Sequence, residues 1–188
     1  MQPFAQLKKP AAITPADSAY LRAHTLADGG GFPPSYIAFA TQLGWGRLCN
    51  LLLVYVPLGQ YPDSWQVQSP RIKQFMDDFY EEMEHDPFLL EPDGYEGIEQ
   101  YLLPFAMSEN GEYLAWDTTR RAPDGELTIY VIANRMAGIR YGAENLHQFV
   151  ENCTNDAAVK TMFGPGYNAL PAVFEPIALA SSSNKPGS

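Results

Sequence analysis

Catalysis needs a nucleophile, an acid–base pair or a metal site, and this 188-residue chain offers few residues for any of them. Its three histidines, His24, His85 and His147, stand far apart. None belongs to a His-x-x-x-His or Cys-x-x-Cys pattern, so the spacing argues against a metal site. Cys49 and Cys153 lie in apolar surroundings and read as buried free thiols. His147 and Cys153 share one predicted helix, but six steps is roughly 600° of rotation, which leaves them about 120° apart and spoils a Cys–His dyad. There is no Gly-x-Ser-x-Gly elbow, dinucleotide fingerprint or Walker motif. The triplet Gly29-Gly30-Gly31 has no strand before it and no P-loop lysine after it. Asp117, at a predicted strand end, is a carboxylate open to catalysis, although such an Asp more often stabilises the following turn. The expectation is a protein that is not an enzyme, with no cofactor and no metal.

What the chain has in quantity is carboxylate. Its net charge is -10, and residues 77–99 hold ten of the 22 acids with no Lys or Arg, while the remainder balances twelve against twelve. That distribution speaks against direct nucleic-acid binding, which uses Lys and Arg to meet phosphates. Its natural complement is a basic protein surface. Asp77, Asp78, Glu81, Glu82 and Glu84 are expected on the open face of one helix, whose apolar stripe reads Ile72, Phe75, Met76, Phe79 and Met83. A solvated face is the commoner meaning of a charge run. Here the acids crowd toward the helix C-terminus, where the dipole disfavours each by about 0.3–1 kcal/mol when exposed. Few cations are placed to relieve them, so this is the candidate partner-binding surface. Tyr61 and Trp65, in the preceding loop, are its candidate aromatic anchors, although tryptophans as a class are more often core.

The elements that must position these residues can be read in order. Residues 1–13 carry no period and are expected to be a flexible arm. Thr14 reads as the N-cap of a helix reaching about residue 27, and Asp28 with the glycine triplet ends it. Phe32-Pro33-Pro34-Ser35 opens a second helix with Tyr36, Phe39, Ala40 and Leu43 on one face. Residues 48–56, LCNLLLVYV, read as a single strand covered on both faces. Ser69-Pro70 supplies the N-cap and first residue of the acidic helix. Asn110-Gly111 predicts a two-residue hairpin loop, with Phe105 facing Trp116, Met107 facing Leu114 and Glu109 facing Glu112. Phe105, Met107, Leu114 and Trp116 would then share one apolar face. Residues 127–133 form the next strand, and residues 139–141 a short edge strand. Asn145 caps a helix carrying Leu146, Phe149, Val150 and Cys153.

The resulting organisation is one domain over residues 14–154 with an acidic insertion at 60–99, an extended C-terminal arm at 155–180 and a disordered tail at 181–188. A chain of this size can bury roughly 70% of its unfolded surface without a disulfide or metal. No run of about 18 apolar residues predicts a membrane span. The first fifteen residues lack the apolar core of a signal peptide, so a cytoplasmic protein is expected.

Several short motifs recur here in a familiar order. Pro33-Pro34-Ser35-Tyr36 opens a helix and Gly44-Trp45-Gly46-Arg47 follows it. Leu103-Pro104-Phe105-Ala106 and Gly111-Glu112-Tyr113-Leu114-Ala115-Trp116-Asp117 build a hairpin. Ile129-Tyr130-Val131 and Asn145-Leu146-x-x-Phe149 complete the series. Over about residues 14–153 the chain thereby resembles the SMI1/KNR4 family of the SUKH superfamily. The resemblance implies an α+β fold, a twisted and mainly antiparallel sheet flanked by helices. It also implies protein binding: many bacterial members are immunity proteins that block a cognate polymorphic or contact-dependent toxin, often a nuclease. Others are regulatory interaction modules. No catalytic residue carries over, and Tyr36, Phe105, Trp116, Asp117 and Ile129 read as scaffold. The insertion and the C-terminal segment depart from the family pattern, and partner specificity is expected there.

The reading is therefore a binding protein for a basic, nuclease-type toxin domain. The alternative is a regulatory interaction module not tied to a toxin, and a large multidomain toxin encoded immediately upstream would favour the first. A small hydrolase would need a pocket holding two carboxylates with opposed pKa perturbations.

Overall fold

The computed structural model describes residues 4–8 and 12–180. Its centre is a seven-stranded antiparallel sheet in the order β6-β5-β4-β3-β2-β1-β7. The strands are β1 Gly46–Leu48, β2 Leu52–Val54, β3 Leu102–Ser108, β4 Tyr113–Arg121, β5 Leu127–Ile132, β6 Ile139–Ala143 and β7 Phe174–Pro176. The helices are α1 Ser18–Ala23, α2 Pro34–Gln42, α3 Trp65–Glu82, α4 Ile98–Tyr101, α5 Leu146–Cys153 and α6 Asp156–Phe163. This is the expected α+β architecture.

The aromatic core decides which helix covers which face. Phe105 stacks on Trp116 with ring centroids 4.2 Å apart, and Tyr36 of α2 meets Trp116 edge-on at 4.9 Å. On β4, Tyr113 points the opposite way from Leu114 and Trp116. Phe75 of α3 packs toward Tyr113 at 6.1 Å, so α3 lies across the sheet from α2. The α2 side is fastened by a carboxylate from the β4–β5 turn. Glu126 accepts the Ser35 N–H and the Ser35 hydroxyl, each at 2.7 Å, and Ser35 Oγ accepts the Leu146 N–H at 2.9 Å. Pro33 gives α2 no side-chain cap, so Glu126 supplies the anion that the helix N-terminus favours.

The structure differs from the sequence expectations in several local ways. Helix α1 starts later than Thr14 suggests. Its cap is Asp17, whose carboxylate accepts from the Ala19 and Tyr20 N–H groups, while Thr14 donates to the Ile177 carbonyl. Residues 48–56 are not one strand. Cys49 and Asn50 adopt φ of 53° and 54°, the left-handed pair that a type I′ turn demands, and β1 folds back on β2. Helix α3 begins at Trp65 with Pro70 inside it, so Ser69 is no cap, and its hydroxyl finds no partner among the described residues.

The β3–β4 loop has three residues rather than two. Gly111 N–H donates to Ser108 C=O at 3.2 Å, Gly111 takes φ 98°, and Ser108 N–H closes on Glu112 C=O at 2.8 Å. Register then slips by one, giving Met107↔Tyr113 and Ala106↔Leu114, with a bulge between Pro104 and Ala106. Met107 is thereby turned to the α3 side, while the bulge keeps Phe105 against Trp116.

The terminal segments are also ordered into the fold where they are described. Phe4, expected in a loose arm, is buried against Phe39 and His147. Residues 155–180, expected to be extended, contain α6 and then β7, which pairs with β1. Tyr167 donates to buried Glu112 at 2.7 Å and accepts from Asn110 at 2.9 Å, pinning the hairpin tip. The expected tail at 181–188 lies outside the described residues.

Candidate partner-binding face

Helix α3 buries Trp65, Gln68, Ser69, Ile72, Met76 and Tyr80, a stripe spaced three or four residues apart. The expected stripe was rotated from this. Phe75 is 50% exposed and Met83 is exposed as well. The acids divide accordingly at 100° per residue. Asp77 and Glu81 fall on the flank toward His85 and Glu99. Asp78 tops the helix, and Glu82 lies on the other flank beside Phe75 and Phe79. The four expected acids within the helix thus span its outer surface rather than one face, and Glu84 lies beyond its end.

The C-terminus of α3 ends in a Schellman arrangement. His85 N–H reaches Tyr80 C=O at 2.9 Å and Glu84 N–H reaches Glu81 C=O at 3.0 Å. Glu84 and His85 take φ of 53° and 54°, and this reversal turns residues 85–100 back along the helix. Asp86 accepts the Phe88 N–H at 2.9 Å and starts a 3-10 turn, Pro87–Leu90. Residues 91–93 are then strapped to β6. Ile139 N–H donates to Glu91 C=O, Asp93 N–H donates to Ile139 C=O, and Tyr141 N–H donates to the Asp93 carboxylate. This covers an otherwise open sheet edge. Tyr95 ties the loop to β4 by donating to Asp117 at 2.9 Å.

Those bonds separate structural acids from free ones. Asp117 accepts from Thr119 N–H, Thr119 hydroxyl and Tyr95 hydroxyl, and so stabilises the irregular stretch of β4 that follows it. Asp77 pairs with Lys73, and Asp78 accepts from Gln74 at 2.7 Å. Among the described residues, Asp78, Glu81, Glu82, Glu84, Glu91 and Glu96 meet no cation within ion-pair distance.

Neither expected aromatic anchor joins this patch. Trp65 is 6% exposed, and its ring sits among Tyr20, His24 and Phe32, at 4.8 Å from the last. It is core, not contact surface. It also begins the helix, about 18 Å along the axis from Asp77 at 1.5 Å per residue. Tyr61 is half-buried at that same end, where its hydroxyl accepts the Ala180 N–H at 3.5 Å. The exposed apolar groups of this segment are instead Phe75 on the flank with Glu82, Met83 at the helix end and Phe88 in the 3-10 turn, the last 74% exposed.

Residues 95–100 were missed as candidates. Glu99 is 4% exposed and lies against His85, with Oε1 3.2 Å from the ring Nδ1. The apolar pair Ile98 and Leu102, one helical turn apart, marks this stretch as anchored in the core. Nothing local says that the neighbouring Glu99 is buried too.

The remaining titratable groups belong to the frame. Burial pushes the Cys153 thiol well above its ordinary range, with the adjacent Cys49 thiol adding to the effect. Both cysteines are free and buried. No cluster of three His, Cys, Asp or Glu side chains among the described residues is arranged to hold a metal ion. No helix among them is long and apolar enough to cross a membrane.

The antiparallel sheet, the α2 and α5 cover and the order of elements define an α+β domain of SUKH type. The sequence model of the SMI1 / KNR4 family (SUKH-1) matches residues 15–152, and the chain belongs to that family. Comparison with curated proteins gives no match, and comparison with solved structures gives none. The match ends just before Cys153, so α6 and β7 lie beyond it, although β7 completes one edge of the sheet.

Proposed function

We propose that this protein neutralises a basic toxin domain by direct binding, using the acidic face built from α3 and the loop that follows it. Family membership is consistent with immunity-type proteins. The observation that carries the reading is the set of carboxylates that meet no cation among the described residues: Asp78, Glu81, Glu82, Glu84, Glu91 and Glu96, clustered in sequence and turned outward. An isolated helix gains nothing from acids at its C-terminus. A basic partner supplies the missing charge.

The physical mechanism is charge mimicry. A nuclease holds phosphates with Lys and Arg. An acidic surface that enters the same cleft competes with nucleic acid, and the opposed fields speed encounter. Asp77, Asp78, Glu81, Glu82 and Glu84 are assigned to this contact, with Met83 and Phe88 as apolar anchors.

The test is co-expression with the toxin domain encoded by the adjacent upstream reading frame. The reading predicts a co-purifying complex and restored growth of cells that carry the toxin. Unrestored growth, with both proteins present and folded, overturns it.

A further inference from the structure

Two cavities meet at the foot of α3. One, of about 550 Å³, lies between the 3-10 turn and α4 and is walled by Pro87, Leu90 and Tyr95. The other, of about 350 Å³, runs along Asp77, Tyr80 and Glu81. His85, Glu99 and Gln100 line both, so the two form one continuous groove.

Glu99 is the unusual wall. It is 96% buried; Oε1 lies beside the His85 ring nitrogen, and among the described residues Oε2 has no hydrogen-bond partner. Tyr80 is wholly buried against the same cavity, and its hydroxyl too has no partner among the described residues. Buried polar atoms are nearly always satisfied, and each exception calls for an explanation. The Lys73 ammonium, which lines the groove, is already held by Asp77. Burial and the charge of Glu99 both push the Tyr80 phenol up, so it keeps its proton and can still accept a hydrogen bond.

We propose that this groove is a socket for one arginine side chain of the basic partner, with Glu99 and Tyr80 receiving its guanidinium. This rests on the reading that the acidic face binds a basic protein, and it names the group that enters. Arginine fits better than lysine for three reasons. Its planar fork has five donors for acceptors on two different residues. It is more weakly hydrated than an ammonium, so it enters a buried site more readily. Its methylene stem suits the apolar wall of Pro87 and Leu90. Asp77 and Glu81 stand at the mouth and draw the cation inward.

The test uses the full chain and a small probe, N-acetyl-arginine methylamide, titrated while backbone amide NMR shifts are followed. The citrulline analogue is the neutral control. The proposal predicts saturable shifts at His85, Glu99 and Gln100 with Kd on the order of millimolar. Binding falls at least about tenfold for the citrulline probe and for Glu99→Gln, which keeps the shape and removes the charge. Equal binding of citrulline, undiminished binding by a folded Glu99→Gln protein, or shifts only elsewhere overturns it. If the probe fails while the toxin complex forms, the socket is refuted and the functional reading stands. If the probe binds and no toxin complex exists, the functional reading fails and the socket is retained.

Discussion

Replacing Glu84 with glycine should stabilise this protein. Glu84 occupies the first position past the end of α3, at φ 53°, where helices most often place glycine. A side chain in the left-handed region costs roughly 1–2 kcal/mol, and glycine removes that cost. Glycine also gives back about 0.5–1 kcal/mol through the freer unfolded chain. Losing a negative charge at the helix C-terminus adds about 0.3–1 kcal/mol at low salt. The net expectation is a gain of about 1 kcal/mol, or roughly 2–4 °C in Tm for a chain of this length. Glu84→Ala isolates the backbone effect, because alanine removes the charge and keeps the strained φ. In a helix interior glycine is about 1 kcal/mol worse than alanine, so the sign of the difference is diagnostic. Urea unfolding of both variants at low and high salt should show Glu84→Gly above Glu84→Ala at either salt. If Glu84→Gly is no more stable than Glu84→Ala, the left-handed reversal that builds the groove is wrong.

Three further outcomes follow from the frame. Glu126→Ala removes the acceptor of two Ser35 hydrogen bonds beneath α2, and should cost about 2–3 kcal/mol in urea unfolding against roughly 1 kcal/mol for Glu126→Gln; equal small losses would contradict the capping role. Cys49 and Cys153 are buried, and burial raises the Cys153 thiol, so an aromatic disulfide reagent at mildly alkaline pH should label neither until the protein unfolds. His24 and His147 have pKa values lowered by burial, with Glu151 opposing the effect at His147. Their neutral forms favour the fold, so their contribution is complete above the unfolded value of about 6.5 and is lost as pH falls below it through the lowered folded value. Urea midpoints should therefore drop from pH 7.5 to 5.5, and the drop should shrink in the His24→Gln/His147→Gln protein; an unchanged drop assigns it to other groups.

Local signals in the sequence located most elements and failed where long-range contacts decide the detail. The α5 cap was plain, because Asn145 accepts the Gln148 N–H, a bond made within one turn. The β3–β4 hairpin was equally plain in existence. Its register was not, since Asn-Gly serves both two- and three-residue loops, and the bulge at Phe105 answers to packing against Trp116. The β1–β2 turn was hidden because Cys49 and Asn50 replace the expected glycine inside an apolar run. The rotated α3 stripe has a related cause. Phe75, Phe79 and Met83 are apolar at helical spacing, but Tyr80 turns inward beside Glu99, which no period reveals. The acidic segment itself was visible in composition. Its division into structural acids, free acids and one buried carboxylate depends on Tyr95 and β6, which are distant in sequence from α3, and on the left-handed turn that brings His85 back against Glu99.

The most direct test of the central claim is the association rate of the purified protein with the basic toxin domain proposed as its partner, measured by stopped flow across a salt series. Wild type is compared with the protein in which Asp77, Asp78, Glu81, Glu82 and Glu84 are replaced by Asn or Gln. The account predicts fast association that falls steeply with salt in the wild type, and slower association with a shallower salt dependence in the variant, by at least about tenfold in rate at low salt. Equal rates and equal salt slopes would contradict the claim that this face meets the partner.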